Sequence, residues 1–229
     1  MTKITYLVTV YNEIKTVEKA IKDVLNIKFK NKEIIVIDNG SNDGSKEIIE
    51  KFTHIKSVLR KKNLGFGKSV MSGINKAKGK YVFIQYSDLE YDHKRSLDMM
   101  KFAEKKKLDV VLGSRLKYSK KDLSLIINKP SYLATIICTF LINIFYNKSF
   151  TDIIGAKLYR TESIKNIKIN NFQAGFDFEL MSKISKMKLK TAEMSIKYKP
   201  RENSSEKKIK FYHMFEALYE IFRVKFFSK

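Results

Sequence analysis

Two hydrophobic rhythms alternate through the first half of the chain. Ile4–Val10, Glu33–Asp38, Ser57–Leu59, Tyr81–Ile84 and Asp109–Gly113 are short runs rich in β-branched and aromatic residues, and each reads as a strand. Between them the spacing becomes helical. Val17, Ile21, Val24 and Leu25 share one face of Ile14–Leu25, and similar patterns cover Lys46–Phe52, Gly67–Lys78 and Lys94–Lys106. Strands that alternate with helices need crossover connections, so the predicted class is α/β, a mostly parallel sheet covered by helices on both faces.

The rhythm breaks after Arg115. A lysine-rich loop, Lys117–Asp122, leads through Pro130 into the apolar segment Tyr132–Tyr146, flanked by Lys129 and Lys148. It is shorter than the roughly 20 apolar residues that span a bilayer, which leaves a buried helix or one lying in a membrane interface. A strand at Ala156–Tyr159, a helix over Phe178–Met187 and a strand over Thr191–Tyr198 follow. The tail Lys207–Lys229 starts basic and becomes helical, with Phe211, Met214, Phe215, Leu218, Tyr219, Phe222, Phe226 and Phe227 along one side. No repeat or linker divides the sequence, so residues 1–229 read as one domain.

Composition narrows the function classes. Residue Cys138 is the single cysteine, which excludes a disulfide framework and cysteine-based zinc, and His54, His93 and His213 form no metal-ligand spacing. The formal net charge is +22, with 40 lysines against six arginines. Such a charge attracts nucleic acid, anionic lipid or anionic substrates. No helix-turn-helix, zinc-finger or aromatic RNA-binding signature appears, and nucleic acid is not expected as a partner. No signal-peptide pattern precedes the first strand. The expected location is the cytoplasm, peripheral to the inner face of the cell membrane.

Candidate chemistry gathers at the strand ends. The run Tyr81–Tyr86 passes into Ser87-Asp88-Leu89-Glu90-Tyr91-Asp92, three carboxylates where open α/β sheets bind ligands. They suit a divalent metal held against a phosphorylated ligand, or a polar turn with Asp92 capping the next helix. Three other ends accompany them: Thr9-Val10-Tyr11-Asn12-Glu13, Ile37-Asp38-Asn39-Gly40-Ser41-Asn42-Asp43-Gly44-Ser45, and Asn63-Leu64-Gly65-Phe66-Gly67-Lys68, which opens a helix whose amides attract phosphate. Further along stand Gly113-Ser114-Arg115, Thr151-Asp152 with Gly155-Ala156-Lys157, and Tyr198-Lys199-Pro200-Arg201 before Glu206-Lys207-Lys208-Ile209.

In this order the motifs resemble family 2 glycosyltransferases of the GT-A fold, and most of all the dolichyl-phosphate mannose synthase-like, polyprenyl-phosphate branch. The resemblance covers nearly the whole chain. It departs at Asn39, where the pattern has a second acid, at Tyr86, where it has the first acid of Asp-x-Asp, at Glu206, where it has glycine, and in lacking the usual proline before the tyrosine motif. The resemblance implies an inverting transfer from a UDP- or GDP-linked sugar, with Mg²⁺ or Mn²⁺ as cofactor. The donor half would be residues 1–115 and the acceptor half, with its amphipathic helices, residues 116–229. Val10, Tyr11, Glu13, Gly65, Lys68 and Ser87 would bind the nucleotide-sugar, with Asp38 accepting a hydrogen bond from the base. Asp88 would hold the metal, assisted by Glu90, and the loss of an acid at Tyr86 would weaken that grip without abolishing it. The alternative is a non-catalytic nucleotide-sugar-binding homologue whose metal site has decayed at Tyr86.

Acceptor choice rests on the second half. A polyprenyl phosphate is already ionised and needs orientation rather than a base. Arg115, Asp152, Arg201 and Lys207 would supply it. A hydroxyl on a surface glycan or glycolipid would need a base, for which Asp177 in Gly175-Phe176-Asp177-Phe178-Glu179 is the candidate. Asp177 also suits a helix N-terminus, and Asp152 the turn before Gly155. Contact with an anionic membrane and a homo-oligomer are the remaining partner expectations.

Overall fold

The computed structural model describes residues 3–118, 130–199 and 212–228. Its centre is a 7-stranded sheet ordered β3-β2-β1-β4-β6-β5-β7. The strands are β1 (Ile4–Val10), β2 (Lys32–Asp38), β3 (Lys56–Leu59), β4 (Tyr81–Tyr86), β5 (Val110–Ser114), β6 (Ala156–Arg160) and β7 (Thr191–Ser195). All pairings are parallel except those of β6, which runs antiparallel between β4 and β5. The predicted mostly parallel sheet is therefore present, with one inverted strand that the periodicity did not disclose.

The helices are α1 (Val17–Leu25), α2 (Ser45–Glu50), α3 (Phe66–Lys76), α4 (Arg95–Lys106), α5 (Arg115–Tyr118), α6 (Pro130–Tyr146), α7 (Thr161–Lys165), α8 (Phe176–Lys186) and α9 (His213–Phe226). Side chains alternate across a strand, and β1 feeds two cores. Tyr6 and Val8 pack with Val17 and Ile21 of α1 and Met99 of α4. Leu7 packs on the other face with Val70 and Ile74 of α3, in a core shared with Ile142 of α6, Leu180 of α8 and Ile221 of α9. Burial on both faces explains why these strands read as continuous apolar runs.

Two elements differ from expectation. The strand predicted to Tyr198 stops at Ser195, and Tyr198 returns as an isolated bridge to Tyr91. The aromatic side of the tail helix faces outward, because α9 buries Ala217, Glu220, Ile221 and Val224 instead. A buried polar cluster fixes that choice. Glu179 of α8 is fully buried and accepts from Arg223 Nη2 at 2.7 Å and Lys183 Nζ at 2.6 Å, and Arg223 Nε donates to Glu220 at 2.8 Å.

Candidate active site

The ends of β1, β2 and β4, with α5, α6, α8 and the start of α9, enclose a cleft of about 470 Å³. One wall is two loops tied to each other. The Asn12 amide donates to Ser41 Oγ at 2.9 Å, Asn42 N–H to Asn12 Oδ1 at 3.0 Å, and Glu13 N–H to Ser45 Oγ at 3.0 Å. Asn12 holds φ at 52°, which Asn tolerates better than most residues. Val10, Tyr11, Glu13 and Ser87 all line the cleft. Ser87 Oγ donates to the Thr9 carbonyl at 2.9 Å, which fastens the end of β4 to that of β1.

Asp38 stands behind that wall, paired with Val10 in the sheet and not among the residues that line the cleft. It is fully buried and its carboxylate accepts the amides of Gly40 and Ser41, each at 3.0 Å. This is the turn chemistry of an aspartate whose carboxylate accepts amides two and three residues on, here in Asp38-Asn39-Gly40-Ser41, and Asn39, not Asp38, lines the cleft. Asn39 Oδ1 accepts from Arg60 Nη1 at 3.0 Å while its Nδ2 donates to Asn63 Oδ1 at 2.7 Å. An aspartate has no hydrogen to donate to Asn63, which gives a physical reason for asparagine here.

Gly65 and Lys68 are likewise not among the lining residues. Gly65 adopts φ 91°, and a Cβ there would stand 2.2 Å from the Phe172 carbonyl, so glycine admits the neighbouring loop. Lys68 is exposed, with its ammonium 4.7 Å from the centre of the Phe172 ring. The loop instead contributes Asn63, Phe66 and Ser69 to the cleft.

The carboxylate turn is strained and organised. Leu89 holds φ 60°, and Glu90 N–H donates to Asp88 Oδ1 at 3.1 Å. Asp88 and Glu90 line the cleft, and Glu90 Oε2 accepts from the Tyr198 hydroxyl at 3.0 Å. Asp92 is not the N-cap of α4, which is Lys94 and carries no side-chain cap bond; its carboxylate instead accepts the Lys94 amide at 2.9 Å in the turn before the helix. Among the described residues no group of three or more His, Cys, Asp or Glu forms a ready metal cage. Two hard carboxylates fit Mg²⁺ or Mn²⁺ when phosphate oxygens complete the shell. His213, at the start of α9, lines the same cleft. Sequence spacing could not find it, since it lies far along the chain from the carboxylates.

Tyr86 fills the place of the missing acid with aromatic packing. Its ring stacks on Phe66 at 5.6 Å and leans on Tyr91 at 5.3 Å. Burial, and then the nearby Asp177 and Asp88 carboxylates, push its hydroxyl well above the ordinary tyrosine range, so it stays neutral. Lys157, almost fully buried, donates to that hydroxyl at 3.3 Å and to the Ile154 and Gly155 carbonyls at 3.1 and 3.2 Å. Its charge is met by Asp177 at 3.1 Å. Asp177 lines the cleft from the first turn of α8.

On the opposite side Arg115 lies 4.9 Å from the Tyr132 ring centre and 5.4 Å from that of Tyr198. Asp152 takes its Nε and Nη2 at 2.7 and 2.9 Å. Burial alone would lower the guanidinium, but Asp152 beside it pushes it well above its ordinary value. Burial would also raise the Asp152 carboxyl, yet Arg115 draws it below its ordinary value. Arg115 lines the cleft whereas Asp152 supports it from behind. Glu193, missed by sequence reasoning, braces this turn by accepting the Thr151 and Asp152 amides at 2.8 and 3.1 Å. Arg201 and Lys207 lie outside the described residues.

A cholesterol galactosyltransferase of Borreliella burgdorferi is 40% identical over 83 residues, 35% of this chain and 23% of that protein. A poly-beta-1,6-N-acetyl-D-glucosamine synthase of Staphylococcus aureus is 30% identical over 139 residues, 59% of this chain and 34% of that one. The matches thus span about a quarter to a third of these curated relatives. Among solved structures, glucosyl-3-phosphoglycerate synthase from Mycobacterium tuberculosis, in complex with Mn²⁺, UDP and glucosyl-3-phosphoglycerate, aligns with a TM-score of 0.68. It is 14% identical, over 98% of this chain and 80% of that one. S. aureus TarS in complex with UDP-GlcNAc gives 0.62 at 20% identity, over 99% and 68%. At these identities the structures show the fold, which is GT-A. Residues 5–168, most of the strands and the whole carboxylate turn, match the profile described as Glycosyl transferase family 2, and the chain belongs to that family.

Proposed function

We propose that the chain transfers a sugar, with inversion, from a UDP- or GDP-linked donor to a lipid-linked acceptor, polyprenyl phosphate first among them. The observation that carries this reading is one cleft with two chemically different sides. The loops of β1 and β2 and the Asp88–Glu90 turn form one side, and Arg115 between Tyr132 and Tyr198 forms the other. Residues 1–115 would then be the donor half and 116–229 the acceptor half.

Tyr11, Glu13 and Asn39 would frame the nucleotide, and Asp88 with Glu90 would hold the divalent cation. When bound, that cation neutralises charge on the departing diphosphate. Arg115 would orient the acceptor. Its pairing with Asp152 fixes the plane of the guanidinium, and a fixed plane suits bidentate contact with phosphate. An ionised phosphate oxygen attacks the anomeric carbon in line while the nucleoside diphosphate leaves from the opposite side, so no proton need move. The enzyme would work at the cytoplasmic face of the membrane.

A hydroxyl acceptor is the second reading, favoured by Asp177 on the cleft and by a relative named for cholesterol, a sterol alcohol. Asp177 would then take the hydroxyl proton. Radiolabelled UDP- and GDP-sugars offered with polyprenyl phosphate or with a glycolipid separate the two. Transfer to the lipid phosphate that survives Asp177→Asn supports the first reading. Transfer only to hydroxyls, abolished by Asp177→Asn while donor binding persists, supports the second and defeats the first.

A further inference from the structure

Helices α6 and α9 lie side by side and run in the same direction. Phe145 near the end of α6 meets Phe222 and Phe226 of α9 at 5.3 and 5.8 Å, and Lys225 Nζ donates to the Phe145 carbonyl at 2.6 Å. Tyr132 and Thr135 near the start of α6 and His213 at the start of α9 line the catalytic cleft. Both helices therefore lead away from the cleft mouth.

Each carries an outward apolar stripe at helical spacing. On α6 it is Leu133, Ile137, Phe140 and Ile144, between 37% and 61% exposed. On α9 it is Phe215, Tyr219, Phe222 and Phe226, between 43% and 67% exposed. The α9 stripe meets α6 where Phe222 and Phe226 touch Phe145, and exposed apolar surface of this kind marks an interaction site. Its charge pattern is one-sided. Residues 130–146 include no ionisable acid or base beyond tyrosine and cysteine. The carboxylates of α9 turn inward: Glu216 accepts from Asn171 at 2.7 Å, and Glu220 is buried against Arg223. Lysines gather at the far end, where Lys225 approaches the Tyr146 ring at 5.2 Å and Lys186 donates to the Val224 and Ser228 carbonyls at the end of α9.

We propose that the joint α6–α9 face docks on an anionic lipid bilayer, with its aromatic stripe at the headgroup boundary and the cleft mouth held at the membrane edge. A bilayer is preferred to a second copy because a copy brings another formal charge of +22, whereas anionic lipid complements it. The proposal deepens the lipid-acceptor reading and rests on it only for the reason the cleft should face lipid. Docking itself needs neither donor nor acceptor.

The test is flotation of the full chain with vesicles of phosphatidylcholine alone or with about 30 mol% phosphatidylglycerol, in low and high salt. Expected is binding to the anionic vesicles that falls in high salt and is at least about tenfold weaker on neutral ones. The double variant F140E/F215E should lose at least about tenfold of the anionic binding while keeping its melting temperature and donor affinity. Should that variant not fold, Ile144→Ser with Tyr219→Ser replaces it and must show the same loss. Three results overturn the proposal: no flotation of the wild type, wild-type flotation by the folded variant, or self-association abolished by the variant with no vesicle binding. Docking without transfer to lipid acceptors would instead sink the acceptor reading alone.

Discussion

The buried pair Arg115–Asp152 is the sharpest place to perturb the cleft. Asp152 is 1% exposed, and its carboxylate accepts the Arg115 backbone amide, Nε and Nη2 at 3.0, 2.7 and 2.9 Å. The Ile154 and Gly155 amides add bonds at 3.1 and 3.2 Å. Asp152→Ala leaves a guanidinium without its counterion in a nearly dry site, a loss of about 3–5 kcal/mol. Orphaned backbone amides cost about 1 kcal/mol or more each unless water enters the space. Water does fit where a carboxylate has gone, so about 4 kcal/mol is the expected total. That is a large fraction of the roughly 5–15 kcal/mol that holds a domain together. With a urea slope near 3 kcal/mol/M, the unfolding midpoint should fall by about 1.3 M. The double variant R115M/D152L removes both charges and should lie closer to wild type than Asp152→Ala does. Strict additivity of the single substitutions Arg115→Met and Asp152→Leu in that double variant, or an Asp152→Ala midpoint within about 0.3 M of wild type, would refute the claim that the pair, and not the turn alone, supports the site.

Acid should destabilise the buried ion pairs around Arg115 and α8. Asp152 and Glu179 are both drawn below their ordinary values of 3.8 and 4.5, burial opposing the shift in each and Arg115 or Lys183 overcoming it. Carboxyls depressed in the folded state contribute stability above those ordinary values, and the contribution is lost as pH falls through the folded ones. Urea midpoints should be flat above about pH 5 and fall below about pH 4.5, and Glu179→Gln should flatten that fall. Tyr86→Phe should cost under about 1 kcal/mol in thermal melts, since Lys157 keeps Asp177 and two carbonyls. Tyr86→Asp, which restores the family acid, should cost about 3 kcal/mol or more, because it empties the slot between Phe66 and Tyr91 and adds charge beside Asp88 and Asp177. An unchanged melting temperature for Tyr86→Asp would contradict that account. Asp88→Ala should reduce turnover of the nucleotide-sugar on the order of 100-fold or more, read from product release with Mn²⁺ present.

What the sequence disclosed tracks how locally each feature is encoded. The strand ends were legible because parallel strands buried on both faces leave dense apolar runs, and Ser87–Glu90 interrupts such a run abruptly. Pair partners were not. Arg115 meets Asp152, Lys157 meets Asp177, and Arg60 meets Asn39 only after the sheet has formed. Antiparallel β6 brings Lys157 beneath Tyr86, and a short strand does not announce its direction. The tail helix misled in another way. Its aromatic stripe has the spacing of a core face, yet the Glu179–Arg223–Glu220 cluster turns the opposite side inward.

Charge inside the cleft runs against the charge of the chain. Its described lining includes Glu13, Asp88, Glu90 and Asp177, with Arg115 as the permanent cation. Arg115 and Asp177 each have a counterion outside the lining, Asp152 and Lys157. Those two pairs position side chains without adding a strong field for a diphosphate. A phosphate oxygen brought within about 4 Å of a carboxylate meets a repulsion of about 4 kcal/mol at an effective dielectric near 20. The formal +22 is spread over 46 basic residues, most of them surface lysines, and salt screens such charges within about 10 Å. It acts on the approach to anionic surfaces, not on the grip at the reacting centre. A chain this basic with a cleft lined this way has a physical reason to take its donor together with a divalent cation, even with tyrosine in place of the family's first acid.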